Sequence, residues 1–318
     1  MPGPVASKLT PRVAETARRL WMIYLGLTVA ECLSLMLAGM SPYEALCHSF
    51  TTLSTGGFST RNASVGSFDS PLIEWIVIVF MALGGVNFVL HYKVITNRVP
   101  EVLRDSELRY YAVVLLGGAA LVFAALWEPG RDVLGLVRTS LFQVVSLATT
   151  TGYTTADFEV WPGLALLVLL QLMILGGMAG STAGGVKSLR TLIGLKALSS
   201  ALIHQLHPQA VLKPVRFDGV RVHDDVMKGI WTFFTAYALV VLVVAALVAA
   251  AGYDVLTSIS AALTTVGNVG PGLGAIGPYD HFGHFPSHVK LLLSLAMIAG
   301  RLEIFTVVVL FHPEFWRR

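Results

Sequence analysis

The chain has 318 residues, of which 55% are apolar and only 13% are charged, and its mean hydropathy is +0.71. Soluble domains usually carry about 25% charged residues, so this composition excludes an ordinary soluble domain and indicates an integral membrane protein. The net charge is only +3, and the basic residues lie in clusters between apolar runs. Membrane topology accounts for this charge, and no nucleic-acid partner is predicted.

Six apolar runs are long enough to cross about 30 Å of hydrocarbon, which takes roughly 20 helical residues. They are 18–39, 71–93, 109–127, 162–180, 229–251 and 288–311. A cytoplasmic N-terminus places most of the 22 Lys and Arg residues inside the cell. The positive-inside rule therefore predicts a multi-pass plasma-membrane protein with both termini in the cytoplasm.

The connections after the first, third and fifth runs share one pattern, an apolar stretch followed by a Gly- and Thr-rich segment. The apolar stretches, 42–52, 137–149 and 255–265, are too short to cross a membrane. We interpret them as re-entrant pore helices, because an ordinary extracellular turn, the alternative, does not explain why a short helix recurs. The sequence thus predicts three copies of one unit: span, pore helix, extended strand, span.

The Gly- and Thr-rich segments have the composition of an ion filter. Irregular backbone at membrane depth is tolerated where it lines an aqueous cavity, and a ring of backbone carbonyls can replace the hydration shell of an alkali cation. Aligned without gaps, the segments match at Gly57, Gly152 and Gly270, which we expect at one membrane depth with the positive φ that glycine allows. Phe58 and Tyr153 follow the first two glycines, whereas Pro271 follows the third, so a different side contact is expected to hold that strand. The predicted filter residues are Ser54, Thr55, Gly56, Gly57, Thr149, Thr150, Thr151, Gly152, Gly267, Asn268, Val269 and Gly270.

A second glycine-rich segment, 176–187, interrupts the fourth apolar run. Each glycine costs a helix roughly 1 kcal/mol relative to alanine, so we expect the helix to break there. Close helix packing through small residues is the alternative; we favour an intramembrane loop beneath the filter that occludes ions. A nucleotide P-loop is excluded, because the Gly-Lys-Ser/Thr run is absent. Arg301 lies in the last apolar run, where an ionisable residue is functional by default. The predicted gate residues are Gly176, Gly177, Gly180, Ser181, Thr182, Gly184, Gly185, Lys187 and Arg301.

No enzyme chemistry is visible in the sequence. A Ser-His-Asp or paired-carboxylate arrangement is absent, and His281, His284 and His288 lack an accompanying acid or cysteine cluster. We therefore predict neither an enzyme nor a transition-metal site.

Five motifs, in order along the whole chain, resemble the Trk/Ktr/HKT superfamily of potassium transporters, and most of all its bacterial Trk potassium-uptake membrane subunits. They are SFTTLSTGGFST, FQVVSLATTTGYTTADF, GGMAGSTAGGVKSLR, LTTVGNVGPGLG and GRLEIFTVVVLF. The resemblance implies an all-α, potassium-channel-like membrane protein whose pseudo-tetrameric pore is made of four joined repeats. It implies potassium as the transported ion, with no bound cofactor. It also implies a homodimer in the lipid of the bacterial inner membrane, gated by a cytosolic nucleotide-binding regulatory subunit.

The family has four repeats, and the three found here correspond to the second, third and fourth. Three strands do not close a fourfold ring, so we expect an upstream coding region or another chain to supply the first repeat. Sodium or mixed sodium/potassium transport, or a non-conducting fragment lacking the first repeat, remain alternatives. The predicted divisions are a cytoplasmic linker at 1–17, pore repeats at 18–95, 96–200 (with the gating loop at 176–187) and 229–318, and a cytoplasmic segment at 201–228.

Overall fold

A computed structural model describes residues 13–207, 214–311 and 313–317. Most of the predicted linker, residues 1–12, and residues 208–213 of the predicted cytoplasmic segment lie outside the described residues. The helices are α1 Val13–Leu37, α2 Pro42–Leu53, α3 Pro71–Gly84, α4 Phe88–Ile95, α5 Val99–Leu103, α6 Ser106–Leu126, α7 Val133–Ala148, α8 Gly163–Leu175, α9 Ser188–Leu206, α10 Asp224–Ala250, α11 Val255–Gly267, α12 Ser287–Arg301 and α13 Ile304–Val308. Short 3-10 turns cover Ser64–Phe68, Phe282–His284, Val309–Phe311 and Pro313–Trp316, and strands β1 Arg216–Phe217 and β2 Val220–Arg221 form an antiparallel hairpin. The described chain is thus almost entirely helical, which confirms the all-α class.

Three helix–helix–helix units follow one another along the chain. In each unit the long first helix packs on the short second one: α1 on α2, α6 on α7 and α10 on α11. Contacts of α3 with α7 and of α8 with α11 join neighbouring units. The units also share apolar packing, since Leu170 of α8 contacts both major core clusters.

The three predicted pore helices are present as α2, α7 and α11, and each begins at a polar N-cap. The Ser41 side chain accepts from the N–H of Glu44 and forms a capping box, while the Asp132 and Asp254 side chains accept N–H groups at the starts of α7 and α11. Such caps satisfy helix N–H groups that lack an internal partner. The Asp132 cap explains why α7 begins four residues before the predicted stretch.

Within the described part of the chain, three helices are long and apolar enough to cross a membrane by length and composition. They are Glu15–Leu37, Ser106–Leu126 and Asp224–Ala250, and α3 with α4 makes a fourth if this pair, bent by 101°, is one span. The apolar run 71–93 is therefore divided between two helices. The chain turns after Gly84, and the Asn87 side chain caps α4 by accepting from the N–H of Val89 at 2.9 Å.

Two further runs are interrupted. α8 ends at Leu175, and Gly176 has a φ of 69°, which confirms the predicted break in the fourth run. The run 288–311 was expected to be continuous, but α12 ends at Arg301, and Glu303 has a φ of 61° ahead of α13. The proposed repeat boundary at residue 200 falls inside α9, which continues to Leu206.

Candidate filter and gate

The three extended segments predicted to form the filter, called the filter strands below, are attached to α2, α7 and α11 in the same way. In each copy, two N–H groups donate hydrogen bonds to one residue of the pore helix, six positions before the aligned glycine. The donors are the N–H of the aligned glycine and the N–H of the residue just before it. The bonds are Gly56 and Gly57 N to Thr51 O at 2.7 and 3.2 Å, Thr151 and Gly152 N to Ser146 O at 2.9 and 3.3 Å, Val269 N to Thr264 O at 2.8 Å and Gly270 N to Thr264 Oγ1 at 2.9 Å. Because these N–H groups face the pore helices, the strands are held from behind.

Backbone dihedrals also repeat along the three strands. A positive φ occurs at each aligned glycine and at the second residue before it, with the residue between them on the negative side. The values are 53° at Thr55, 66° at Gly57, 58° at Thr150, 84° at Gly152, 56° at Asn268 and 108° at Gly270. This alternation is a backbone conformation in which successive carbonyls can face the same side of a strand, as a ring of carbonyl ligands requires.

A positive φ at a residue other than glycine is a strained conformation that costs of order 1–3 kcal/mol and clusters at functional sites. Thr55, Thr150 and Asn268 all adopt it. Thr150 is fully buried, and its hydroxyl accepts from the N–H of Gly184 at 2.6 Å. The surrounding hydrogen bonds therefore stabilise a backbone that a free chain would avoid.

The strands also pack against one another in a repeated way. A Cβ placed on Gly57 would overlap the carbonyl oxygen of Thr151, and one on Gly152 would overlap that of Val269. In both cases the neighbour is the residue before the next aligned glycine, so Gly57 and Gly152 occupy equivalent places. A Cβ on Gly270 would have nothing within 4 Å. Gly57 and Gly152 thus each face the next strand, whereas the equivalent side of the third strand, at Gly270, is open.

The third strand is held by hydroxyl groups of α11. The N–H of Leu273 donates to Ser260 Oγ at 2.5 Å, and that of Ala275 donates to Thr257 Oγ1 at 3.0 Å. This confirms the expectation that the copy with Pro271 uses a different side contact.

The aromatic residues after the first two glycines differ. Tyr153 is fully buried, and its hydroxyl lies 2.6 Å from Thr51 Oγ1 and 3.2 Å from the carbonyl oxygen of His48. Phe58, in contrast, is 75% exposed. The two aromatics occupy matching positions in the sequence, but only Tyr153 of the two is buried. Tyr153 ties the second strand to α2.

We expect Tyr153→Phe to lower the free energy of unfolding by about 1–3 kcal/mol, because buried hydrogen-bonding groups lose a partner. Unfolding followed by tryptophan fluorescence in detergent would measure the change. Tyr279→Phe, at a tyrosine that is 49% exposed, is the matched control and should change little. Equal stabilities for the two variants would contradict the role assigned to Tyr153.

At the N-terminal end of α2, an ion pair attaches the segment that follows the first filter strand. Glu44 pairs with Arg61 at 2.9 Å. The hydrogen bond from Ser41, together with Arg61, holds the pKa of the Glu44 carboxyl below its ordinary value. This carboxylate therefore stays charged at neutral pH.

The loop 176–187 lies beneath all three filter strands and bonds to each copy. Four contacts establish this position: Thr182 Oγ1 to Leu53 O at 2.8 Å, Thr55 Oγ1 to Thr182 O at 2.9 Å, Gly184 N to Thr150 Oγ1 at 2.6 Å and Gly185 N to Gly267 O at 3.1 Å. Leu53, Ala148 and Gly267 end the three pore helices. The loop thus crosses the place at which the pore helices point.

The unpredicted bend between α3 and α4 supports this loop from the side. The N–H of Met178 donates to the carbonyl of Gly85 at 2.9 Å, and the N–H of Phe88 donates to the carbonyl of Gly180 at 3.2 Å. Breaking the helix at the bend frees backbone groups that the loop then satisfies, as buried backbone requires.

Arg301 reaches the same loop. Its Nη1 donates to the carbonyl oxygen of Thr182 at 2.8 Å, the oxygen that also accepts from Thr55 Oγ1 at 2.9 Å. Lys187 donates to the carbonyl of Ala183 within the loop. Arg301 and the first filter strand therefore converge on one loop carbonyl.

Glu303 does not neutralise Arg301. It pairs with Arg190 of α9 at 2.9 Å, and the Arg190 guanidinium lies 4.1 Å from the ring centroid of Phe233. Glu303 thus interacts with α9 and not with Arg301 two positions earlier.

Three charged residues beside the loop were missed from the sequence: Glu107, Arg190 and Glu303. Glu107 lies in the first turn of α6 and is only 4% exposed. An acid next to an apolar run was the one signal that could have identified it.

Comparison with known proteins agrees with this geometry. The family model TrkH, described as a cation transport protein, matches residues 4–125 and 132–318. Proteins named Trk system potassium uptake protein TrkH are 42% identical in Halomonas elongata and 40% identical in Escherichia coli strain K12, and each alignment covers 100% of this chain and 66% of the relative. The crystal structure of the potassium transporter TrkH from Vibrio parahaemolyticus matches with a TM-score of 0.90 at 38% identity, over 98% of this chain and 67% of that one. The chain thus spans 66% of the length of these curated relatives, and it belongs to the TrkH family of cation transport proteins.

Proposed function

We propose that the chain forms three of the four repeats of a potassium-translocating pore in the plasma membrane. The observation that carries this proposal is the alternation of positive and negative φ in all three filter strands. This alternation supports a filter in which backbone carbonyls replace the hydration shell of a dehydrated cation. The names of the relatives, Trk system potassium uptake proteins, favour potassium as that cation.

The pore helices add an electrostatic contribution. α2, α7 and α11 each end directly before a filter strand, and the C-terminal end of a helix carries a partial negative charge. Three such ends aimed at one place stabilise a cation at the inner side of the filter. The loop 176–187 lies in its path as a movable barrier.

A fourth filter strand is part of this proposal. Gly57 and Gly152 each contact the backbone of the next strand, whereas Gly270 faces open space. A further repeat, in the same or another polypeptide, would fill that space and close the ring.

We expect residues 1–318 alone to leave a potassium-uptake-deficient bacterial strain unable to grow at low potassium. A fusion to the first repeat of the Escherichia coli relative should restore growth, because the fourth strand then closes the filter. That first repeat expressed alone is the control. Robust growth with residues 1–318 alone, in a strain that encodes no other Trk-type membrane subunit, would contradict the proposed fourfold pore.

Assembly and regulation are proposed at a coarser level. Both termini, α9 and the β1–β2 hairpin would face the cytoplasm, where Lys196, Arg216 and Arg221 follow the positive-inside rule. A cytosolic nucleotide-binding subunit of the Trk type would bind there, and a second copy would pair with the chain in the membrane. The naming of the relatives as members of a Trk system supports such partners.

A further inference from the structure

A loop that opens and closes needs a fixed base, and the structure contains a candidate for it. The Glu107 side chain on α6 turns away from solvent, with 4% of the residue exposed. Its Oε1 accepts from the N–H of Ala179 at 2.7 Å, and its carboxylate also faces the backbone N–H of Leu189. Ala179 lies near the start of the loop, and Leu189 lies just after its end.

Backbone bonds bring the same two ends together. The N–H of Val186 donates to the carbonyl of Ile174 at 3.0 Å, and the N–H of Ser188 donates to the carbonyl of Gly177 at 3.0 Å. The loop is therefore closed at its base, and Glu107 contacts that base from a separate helix.

The tip of the loop is built differently. Gly180 and Gly185 flank it with φ values of 76° and 72°, which glycine adopts at little cost. Between them, Thr182 and Gly184 contact Thr55 and Thr150 of the filter strands. These two glycines allow the turns that separate the base of the loop from a tip under the filter.

Glu107 also acts on the loop electrostatically, through Lys187. The charged groups that act on Lys187 are Arg301, Arg190, Glu303 and Glu107. Glu303 is paired with Arg190, so Glu107 is the other acid of this set near the loop lysine. A favourable charge at the N-terminus of α6 is the simpler explanation of an acid at this position. It does not account for the burial of Glu107 or for its bond to a loop amide.

We propose that Glu107 is a positioning residue that anchors the base of the 176–187 loop to α6, so that opening moves only the tip. This inference rests on the proposed gating function of the loop. Removing the carboxylate should release the base and let the loop leave the closed position more often.

The test measures exposure of the loop, not ion flux. Ala183→Cys, at a loop position that is 3% exposed, would be labelled with a water-soluble maleimide in inside-out vesicles, in a chain whose Cys32 and Cys47 are replaced by alanine. We expect Glu107→Ala to raise the labelling rate at least about fivefold, because the N–H of Ala179 loses its buried hydrogen-bond acceptor. Glu107→Gln should give less than half of that rise, since its amide oxygen still accepts from Ala179.

Two controls make the result decisive. Ala261→Cys, at a fully buried position of α11, reports loosening of the whole bundle. Glu101→Ala, at an exposed position of α5, removes an acid that pairs with Lys93 and Arg98 and not with the loop. A rise below about fivefold in Glu107→Ala, an equal rise in Glu107→Gln or in Glu101→Ala, or parallel labelling at Ala261→Cys would each overturn the inference. Labelling does not require conduction, so a failure of uptake in the fused protein would count against the proposed pore and not against the anchor.

Discussion

Replacing Gly152 with alanine is expected to abolish potassium flux through a complete four-repeat pore. Gly152 has a φ of +84°, and an added Cβ would overlap the carbonyl oxygen of Val269 and lie 2.9 Å from Pro271 Cδ. Relieving the overlap must move a carbonyl that belongs to the neighbouring filter strand. Since each 1.4 kcal/mol of added barrier slows passage about tenfold, displacement of one ligand ring should reduce flux at least about a hundredfold.

Potassium uptake would be compared at equal membrane expression with two further alanine variants, one control and one second test. Gly117, inside α6, has nothing within 4 Å of an added Cβ and a negative φ, so Gly117→Ala should retain flux and gain roughly 1 kcal/mol of stability. Gly57→Ala, with the same overlap against Thr151, should behave like Gly152→Ala. Uptake by the Gly152 variant within about twofold of the parent would show that the strand is no filter.

The units of this fold could be predicted from the sequence because their signals are local. Short apolar stretches, polar caps such as Ser41 and Asp254, and a glycine-rich interruption each act within a few residues. The repeated pattern then aligned Gly57 with Gly152, and the structure places the two in equivalent contacts.

The bends were not predictable in the same way. A pair of glycines after Leu83 is compatible with a straight helix in a membrane, and the bend persists because the loop uses the carbonyls of Gly84 and Gly85. The break at Glu303 likewise depends on Arg190, 113 positions earlier in the chain. A single sequence does not indicate such pairings, because the partners are far apart in the chain.

The backbone conformation of the filter strands could be predicted only in part from the sequence. Glycine at the aligned positions predicted a positive φ there, but Thr55, Thr150 and Asn268 adopt it without being glycine. Hydrogen bonds from the pore helices and the loop impose this conformation, and residue type alone argues against it.

Arg301→Gln is expected to raise cation flux more than about tenfold in a complete assembly. A unit charge about 7 Å from a passing cation, at an effective dielectric of about 20, raises the barrier by on the order of 2 kcal/mol. The Arg301 side chain also donates to the Thr182 carbonyl. Its removal therefore leaves the loop held at this carbonyl by Thr55 alone.

Arg301→Lys separates these two effects, because it keeps the charge and loses the guanidinium geometry. We expect it to raise flux by less than Arg301→Gln. Lys290→Gln is the matched control, since it removes a charge from the same helix, α12, about 16 Å away along the axis, where Lys290 bonds to the Gly283 carbonyl on the surface. Flux would be followed with rubidium in vesicles at equal protein content. A well-folded Arg301→Gln protein that conducts no better than the Lys290 control would make Arg301 a structural residue, and the barrier would then lie in the loop backbone alone.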